Sequence, residues 1–164
     1  MPFNLAKWFI EGEVDWGYYQ ELLQSWGPAL AGALFGAGWW CWADVLVYQK
    51  AVVGVDPPFK YNWPGIVATV AMVMINMLPR RDLAGEGGEE GEEFRARLWL
   101  FVSFLIAAGA VAGSVAVLVS ASQQADMVSV GVGSVLQCGL ILAGSILFWA
   151  FRSGDQDGFG YITY

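Results

Sequence analysis

Charge is missing from three long blocks of this chain and nearly missing from a fourth. Residues 63–78, 98–119 and 128–151 contain no Asp, Glu, Lys or Arg, and residues 26–48 contain only Asp44. At about 1.5 Å of rise per residue, a helix over 26–48 is ~34 Å long and one over 63–78 only ~24 Å. The other two exceed the roughly 20 residues that bridge a hydrocarbon core. The pattern predicts an all-α membrane protein, a four-helix transmembrane bundle whose second span crosses with little tilt or borrows Tyr61 and Asn62 at its entry. Pro28 and Pro64 fall in the first turns of their helices, where a missing N–H costs nothing.

Aromatic residues mark the block ends. Trp26, Tyr48, Trp63, Trp99 and Trp149 stand where an amphipathic ring prefers the headgroup level, and Trp39 and Trp40 are further candidate anchors. Ahead of the first block, Phe3, Leu5, Trp8, Phe9 and Trp16 lie among acidic residues. They predict a short N-terminal interfacial segment held by its rings, since Lys7 is its sole cation. Its apolar cluster is too short for a cleavable signal. Tyr19-Gln20-Glu21-Leu22 matches a tyrosine-based sorting signal, a four-residue pattern that chance often produces.

Composition agrees with the pattern. The 164 residues are 57% hydrophobic with nine tryptophans, more apolar surface than a soluble domain this small can hide. No separate domain stands out, and 1–164 reads as a single membrane domain. The glycine- and glutamate-rich run at 80–97 reads as a mobile acidic connector. An even number of spans puts both termini and this connector on one side. Lys7, Arg80, Arg81, Arg95, Arg97 and Arg152 lie there, against Lys50 and Lys60 opposite, so the termini are expected in the cytoplasm.

Small and polar residues inside the blocks are the candidate functional positions. Helices in lipid associate through close backbone approach and interhelical hydrogen bonds. Gly32 and Gly36 form one GxxxG and Gly109 and Gly113 another. Ser103, Ala107, Ala110 and Ser114 extend the third block's small face, and Gly133, Gln137, Leu140 and Gly144 share a face of the fourth. These residues serve packing within the bundle, or leave one face, first of all Gly32 and Gly36, for another membrane protein. Asp44, Asn76 and Gln137 are the intramembrane polar groups. Asp44, one turn before Tyr48, is a shallow carboxylate that Lys50, Lys60 or a partner compensates. Gln137 is the deepest and needs a partner, with Ser103 and Ser114 the candidates.

Reactive chemistry does not assemble. Histidine is absent, removing the commonest metal ligand and general base. Cys41 and Cys138 lie in apolar runs and read as small hydrophobes. There are no paired intramembrane carboxylates and no nucleophile with a base. The net charge of -7 comes without the basic patch that nucleic acid requires. No catalytic, metal or cofactor site is expected.

Several ordered motifs resemble a known family. Asp15-Trp16-Gly17 comes first, then Gly32-x-Leu34-Phe35-x-x-Gly38-Trp39-Trp40-x-x-x-Asp44. Gly65-x-x-Ala68-Thr69 with Met74-Ile75-Asn76 follows, then Ala96-Arg97-x-Trp99-Leu100-Phe101-Val102. Together they resemble the transmembrane protein 50 family, small four-span proteins of eukaryotic endomembranes. The acid-rich connector and the tail Asp155-Gln156-Asp157-Gly158-Phe159-Gly160-Tyr161 favour its fungal vacuolar protein sorting-associated protein 68 branch. The resemblance implies traffic from late endosome to vacuole, with the Golgi or endoplasmic reticulum as the alternative location. It also implies a partner, a small four-span protein of the leptin-receptor-overlapping-transcript family, also called vacuolar protein sorting-associated protein 55. The expected function is a non-enzymatic scaffold in that sorting. The alternative is a small channel or proton or lipid transporter in which Asp44 titrates at the lumenal mouth.

Overall fold

The structure, a computed structural model, describes residues 16–78 and 90–151, with side chains from residue 26 onward apart from 90 and 92. The expected N-terminal interfacial segment with Trp8, most of the acidic connector and the C-terminal tail lie outside the described residues, as does the Trp16 side chain.

Four α-helices carry the described chain: α1 Trp16–Tyr48, α2 Trp63–Met77, α3 Glu90–Ser122 and α4 Val128–Phe151. Three helical segments are long and apolar enough to cross a membrane, Trp26–Val53, Glu93–Ser122 and Ala125–Phe151. This is an all-helical membrane protein. α4 begins and ends where the charge pattern placed it, and α2 stops one residue short.

The boundaries of α1 and α3 moved, for local reasons. α1 starts ten residues before Trp26, because the Tyr-Tyr-Gln-Glu-Leu-Leu-Gln run at 18–24 is good helix material. Pro28 therefore lies inside the helix, not in its first turn. At the other end α1 continues through a widened turn, Gln49–Val53. Gly54 stops it with a φ of 77° and donates its N–H to the Gln49 carbonyl, a left-handed conformation that glycine reaches without Cβ strain. Asp44 consequently stands about two and a half turns before the helix end, not one. In the connector expected at 80–97, residues 90–97 are instead the first turns of α3. Glu93 and Arg97 pair there at i,i+4, the spacing that supports an exposed helix end.

α4 is the centre of the bundle. Half of its most apolar stretch (50%) is buried inside the protein, against 17% for α1 and 22% for α3. α2, α3 and α4 pack against one another, whereas α1 leans chiefly on α4. The α1–α4 pair is antiparallel in steady register. Gly27 meets Phe151, Ala31 meets Gly144, Gly38 meets Gln137 and Val45 meets Gly133. Gln49 closes the series by donating its Nε2 to the Asp126 carbonyl at 2.8 Å.

Large apolar side chains crowd the outside, with Trp40 77% and Phe101 61% exposed. That is the inverse of a soluble bundle and suits lipid. Inside, one cluster gathers Trp42, Tyr61, Val117, Ala121, Met127 and Val130 at the end of the bundle that carries the α1–α2 and α3–α4 connections (the connector end), and another gathers Ala68, Ala110, Cys138 and Ile141 deeper. Trp39 packs against both clusters. It is a wedge between cores, unlike the interfacial anchor expected of it.

Candidate functional site

Gly32, Gly36, Trp40 and Asp44 follow one another at four-residue spacing, so they form one stripe along α1. The stripe points away from α4. A methyl group on Gly32 or Gly36 would meet nothing within 4 Å, and Gly32, Trp40 and Asp44 are all exposed. Asp44 makes no hydrogen bond or ion pair with the described residues. The lysine compensation expected for it does not form: Lys50 pairs with Asp56 at 3.2 Å, and Lys60 lies over the Tyr61 ring at 5.6 Å. The reason is reach. The extra turns after Tyr48 put Lys50 six residues, ~9 Å, beyond Asp44 along the helix.

Beside this stripe an apolar groove of ~420 Å³ opens between α1 and α2. Pro28, Gly32 and Phe35 form one wall, Met72 and Asn76 the other, and Phe148 of α4 the floor. The groove exists because α1 rests on α4 and barely touches α2. The hydrogen bond from Trp42 Nε1 to Asn62 Oδ1 (2.7 Å) ties α1 to the start of α2 near the connectors, and below that tie the two helices diverge.

The second polar constellation is internal. On α4, Ser134, Gln137 and Ser145 are fully buried and face α2 from the sector between the α1-facing glycines and the α3-facing Gly131 and Cys138. Asn76 Nδ2 donates to Ser145 Oγ at 3.2 Å and to its own helix at the Met72 carbonyl, linking α2 to α4. Gln137 does not bond to Ser103 or Ser114 as expected. Those hydroxyls turn back to the carbonyls of Trp99 and Val111, each at 2.8 Å. The Gln137 carboxamide lies instead against Gly65, where a Cβ would overlap it. Neither of its polar atoms has a partner among the described residues.

The expected packing glycines divide. Gly133 abuts Val45 and Gly144 abuts the Ala31 carbonyl, where an added Cβ would stand 2.8 Å and 2.9 Å away. Gly113 touches only Pro64, and Gly109, like Gly32 and Gly36, meets nothing. Four closely packed glycines were not read as packing positions from the sequence: Gly27 and Gly131, and Gly38 and Gly65, which stood only in the family-like motifs. A signal for the first existed, since Gly27 and Ala31 form a small-xxx-small pair on the face that meets α4. Trp99 is partly exposed and donates Nε1 to the Met74 carbonyl at 3.0 Å, tying α3 to the end of α2.

These features define a polytopic helical membrane protein whose buried chemistry is hydrogen bonding between helices. Residues 10–157 match the family described as "Uncharacterised protein family (UPF0220)", and the chain belongs to that family. It is similar to the Transmembrane protein 50 homolog of Dictyostelium discoideum, 33% identical over 153 residues that cover 84% of this chain and 96% of that one. It is also similar to Vacuolar protein sorting-associated protein 68 of Saccharomyces cerevisiae, 25% identical over 152 residues, 80% of this chain and 83% of that one. The resemblance carried by the motifs between Asp15 and Val102 is thereby confirmed. No solved structure matches the chain.

Proposed function

We propose that this protein is a four-span, non-enzymatic membrane subunit that works with another small multispan protein in sorting between endosome and vacuole. The observation that carries the reading is the outward stripe Gly32–Gly36–Trp40–Asp44, smooth at one end and bearing at the other a carboxylate with no partner among the described residues. In lipid, small residues let a second helix approach closely, and an intramembrane carboxylate calls for a hydrogen-bond donor or cation. A partner helix seated on this stripe and the groove beside it answers both. The name of the yeast relative supports vacuolar sorting, and the late endosome or vacuole membrane is the matching location. The partner in this reading is of the leptin-receptor-overlapping-transcript type, as the family resemblance implies.

In this reading α2 also crosses. Its 15 residues give ~22 Å of helix, extended by the tight turn Phe59–Asn62 in front of it. Both termini then face the cytoplasm. The exposed position of Asp44 weighs against the channel or transporter reading, because a titrating transport group faces an aqueous path and this one faces outward.

The test is co-purification in mild detergent. Gly32→Leu with Gly36→Leu, and separately Asp44→Leu, should each reduce the recovered partner at least tenfold while the variant keeps the elution volume of the wild type. Full recovery with a correctly folded double variant would remove this face as the interface. Proton or ion flux by purified, partner-free protein in liposomes, abolished by Asp44→Asn, would replace the scaffold reading altogether.

A further inference from the structure

Most hydroxyls inside these helices are locally satisfied. Thr69, Ser103, Ser114 and Ser122 each donate to a carbonyl three or four residues back, at 2.8–2.9 Å. Ser145 accepts from Asn76. Ser134 is the exception: fully buried, with no partner for Oγ among the described residues. One turn along the same face lies Gln137, also at 0% exposure, with Oε1 and Nε2 both unmatched. Residues at i and i+3 are neighbours on a helix surface, about 5–6 Å apart at Cβ. Three orphaned polar atoms thus share one spot on α4, beside Gly65, whose missing side chain leaves the room that the Gln137 carboxamide fills.

Such atoms are costly alone. Each buried unsatisfied group costs about 1–3 kcal/mol, and inside a bilayer no bulk water relieves it. A bound water is the ligand whose chemistry fits, because it needs two to four polar partners and can both donate and accept. The carboxamide offers one acceptor and two donors, and the hydroxyl offers one donor and two lone pairs.

We propose that Ser134 and Gln137 form a binding site for an internal water molecule, held between their two side chains on the inner face of α4. The water accepts from Gln137 Nε2, and exchanges a hydrogen bond with Ser134 Oγ. The water sits only six residues, ~9 Å, into α4, behind the cluster of Trp42, Tyr61, Met127 and Val130. It goes no deeper, because Ala68, Ala71 and Ile141 beyond Gln137 are buried and apolar. The site is a dead end, not a length of conducting path.

Water-edited solid-state NMR of ¹⁵N-glutamine protein in lipid bilayers tests this, with the Gln137 side-chain signal assigned by its loss in Gln137→Met. Polarisation from water should reach the Gln137 amide, and Ser134→Ala should weaken that transfer at least twofold. A Gln137 signal that receives none, while the exposed Gln123 and Gln124 do, overturns the proposal. So does transfer that Ser134→Ala leaves unchanged. Melting temperature provides the second readout. Gln137→Met, nearly isosteric, should lower it if the amide is satisfied by water. A rise would mean the amide was a dry orphan, and the site would not exist. Should Gln137→Met fail to fold, sequential assignment of the wild-type spectrum identifies the Gln137 amide, and the wild-type transfer decides the matter.

Discussion

Gly65 and Gln137 occupy each other's space: the Gln137 carboxamide lies where the Gly65 side chain would otherwise be. Gly65→Ala should therefore drive the amide out of place and destabilise the protein by about 1–3 kcal/mol, the usual penalty of overpacking. Combining it with Gln137→Ala should recover part of the loss, because the clash disappears. A double-mutant cycle in detergent, followed by thermal unfolding, measures that coupling, and additive losses would show that the two residues are not in contact.

The other glycines should separate by what stands opposite them. Gly131→Ala pushes a methyl to 2.7 Å from Leu118 Cα, and Gly144→Ala to 2.9 Å from the Ala31 carbonyl. Backbone cannot swing aside, so each should cost about 1–3 kcal/mol. Gly32→Ala and Gly109→Ala meet nothing and should raise helix stability by about 0.5–1 kcal/mol through lost backbone freedom in the unfolded chain. Melting temperatures of the four single variants decide it.

Gln49 holds the end of α1 to the Asp126 carbonyl across the connectors. Gln49→Leu should open this clasp and leave the carbonyl unmatched, a cost of about 1–3 kcal/mol. Hydrogen exchange should quicken at residues 49–55 and 124–127 and stay unchanged around Ile141. Uniformly faster exchange would mean that the clasp supports the whole bundle.

Trp42→Phe keeps most of the ring in the connector-end core but removes the 2.7 Å bond to Asn62. A loss of about 0.5–1.5 kcal/mol is expected, the net worth of one hydrogen bond. A loss above about 3 kcal/mol, the range for deleting a whole aromatic side chain, would mean the ring itself had been displaced.

The two thiols should differ in access. Cys41 is exposed on α1, and Cys138 is buried beside Ala68 and Ile141. A small apolar maleimide in detergent should modify Cys41 in the folded protein and Cys138 only after unfolding. Equal rates would contradict the central position of α4.

Much of this arrangement was legible beforehand. Uncharged runs long enough to span revealed the helices, because lipid tolerates neither charge nor unpaired backbone. Gly133 and Gly144 were likewise readable as close-packing positions. The acidic stretch misled at Glu90–Arg97: a charged segment reads as solvated connector, but glutamate and arginine are good helix formers, and α3 already supplied a helix to extend. Asp44 misled too, because Tyr48 looked like an interfacial stop while the helix ran on to Val53.

What the chain alone determined is its medium and its segments: where apolar residues cluster, hydrophobic transfer and backbone hydrogen bonding leave helices in lipid as the only outcome. Which faces of those helices meet was decided by the fold. Glycines at 32 and 36 and at 133 and 144 offer the same small surface, and nothing local says which lies against a neighbour and which outside. That follows from register, once α4 takes the centre and α1 has room on one side only. For the same reason Gln137 faced a glycine in place of the serines that its own sequence seemed to offer.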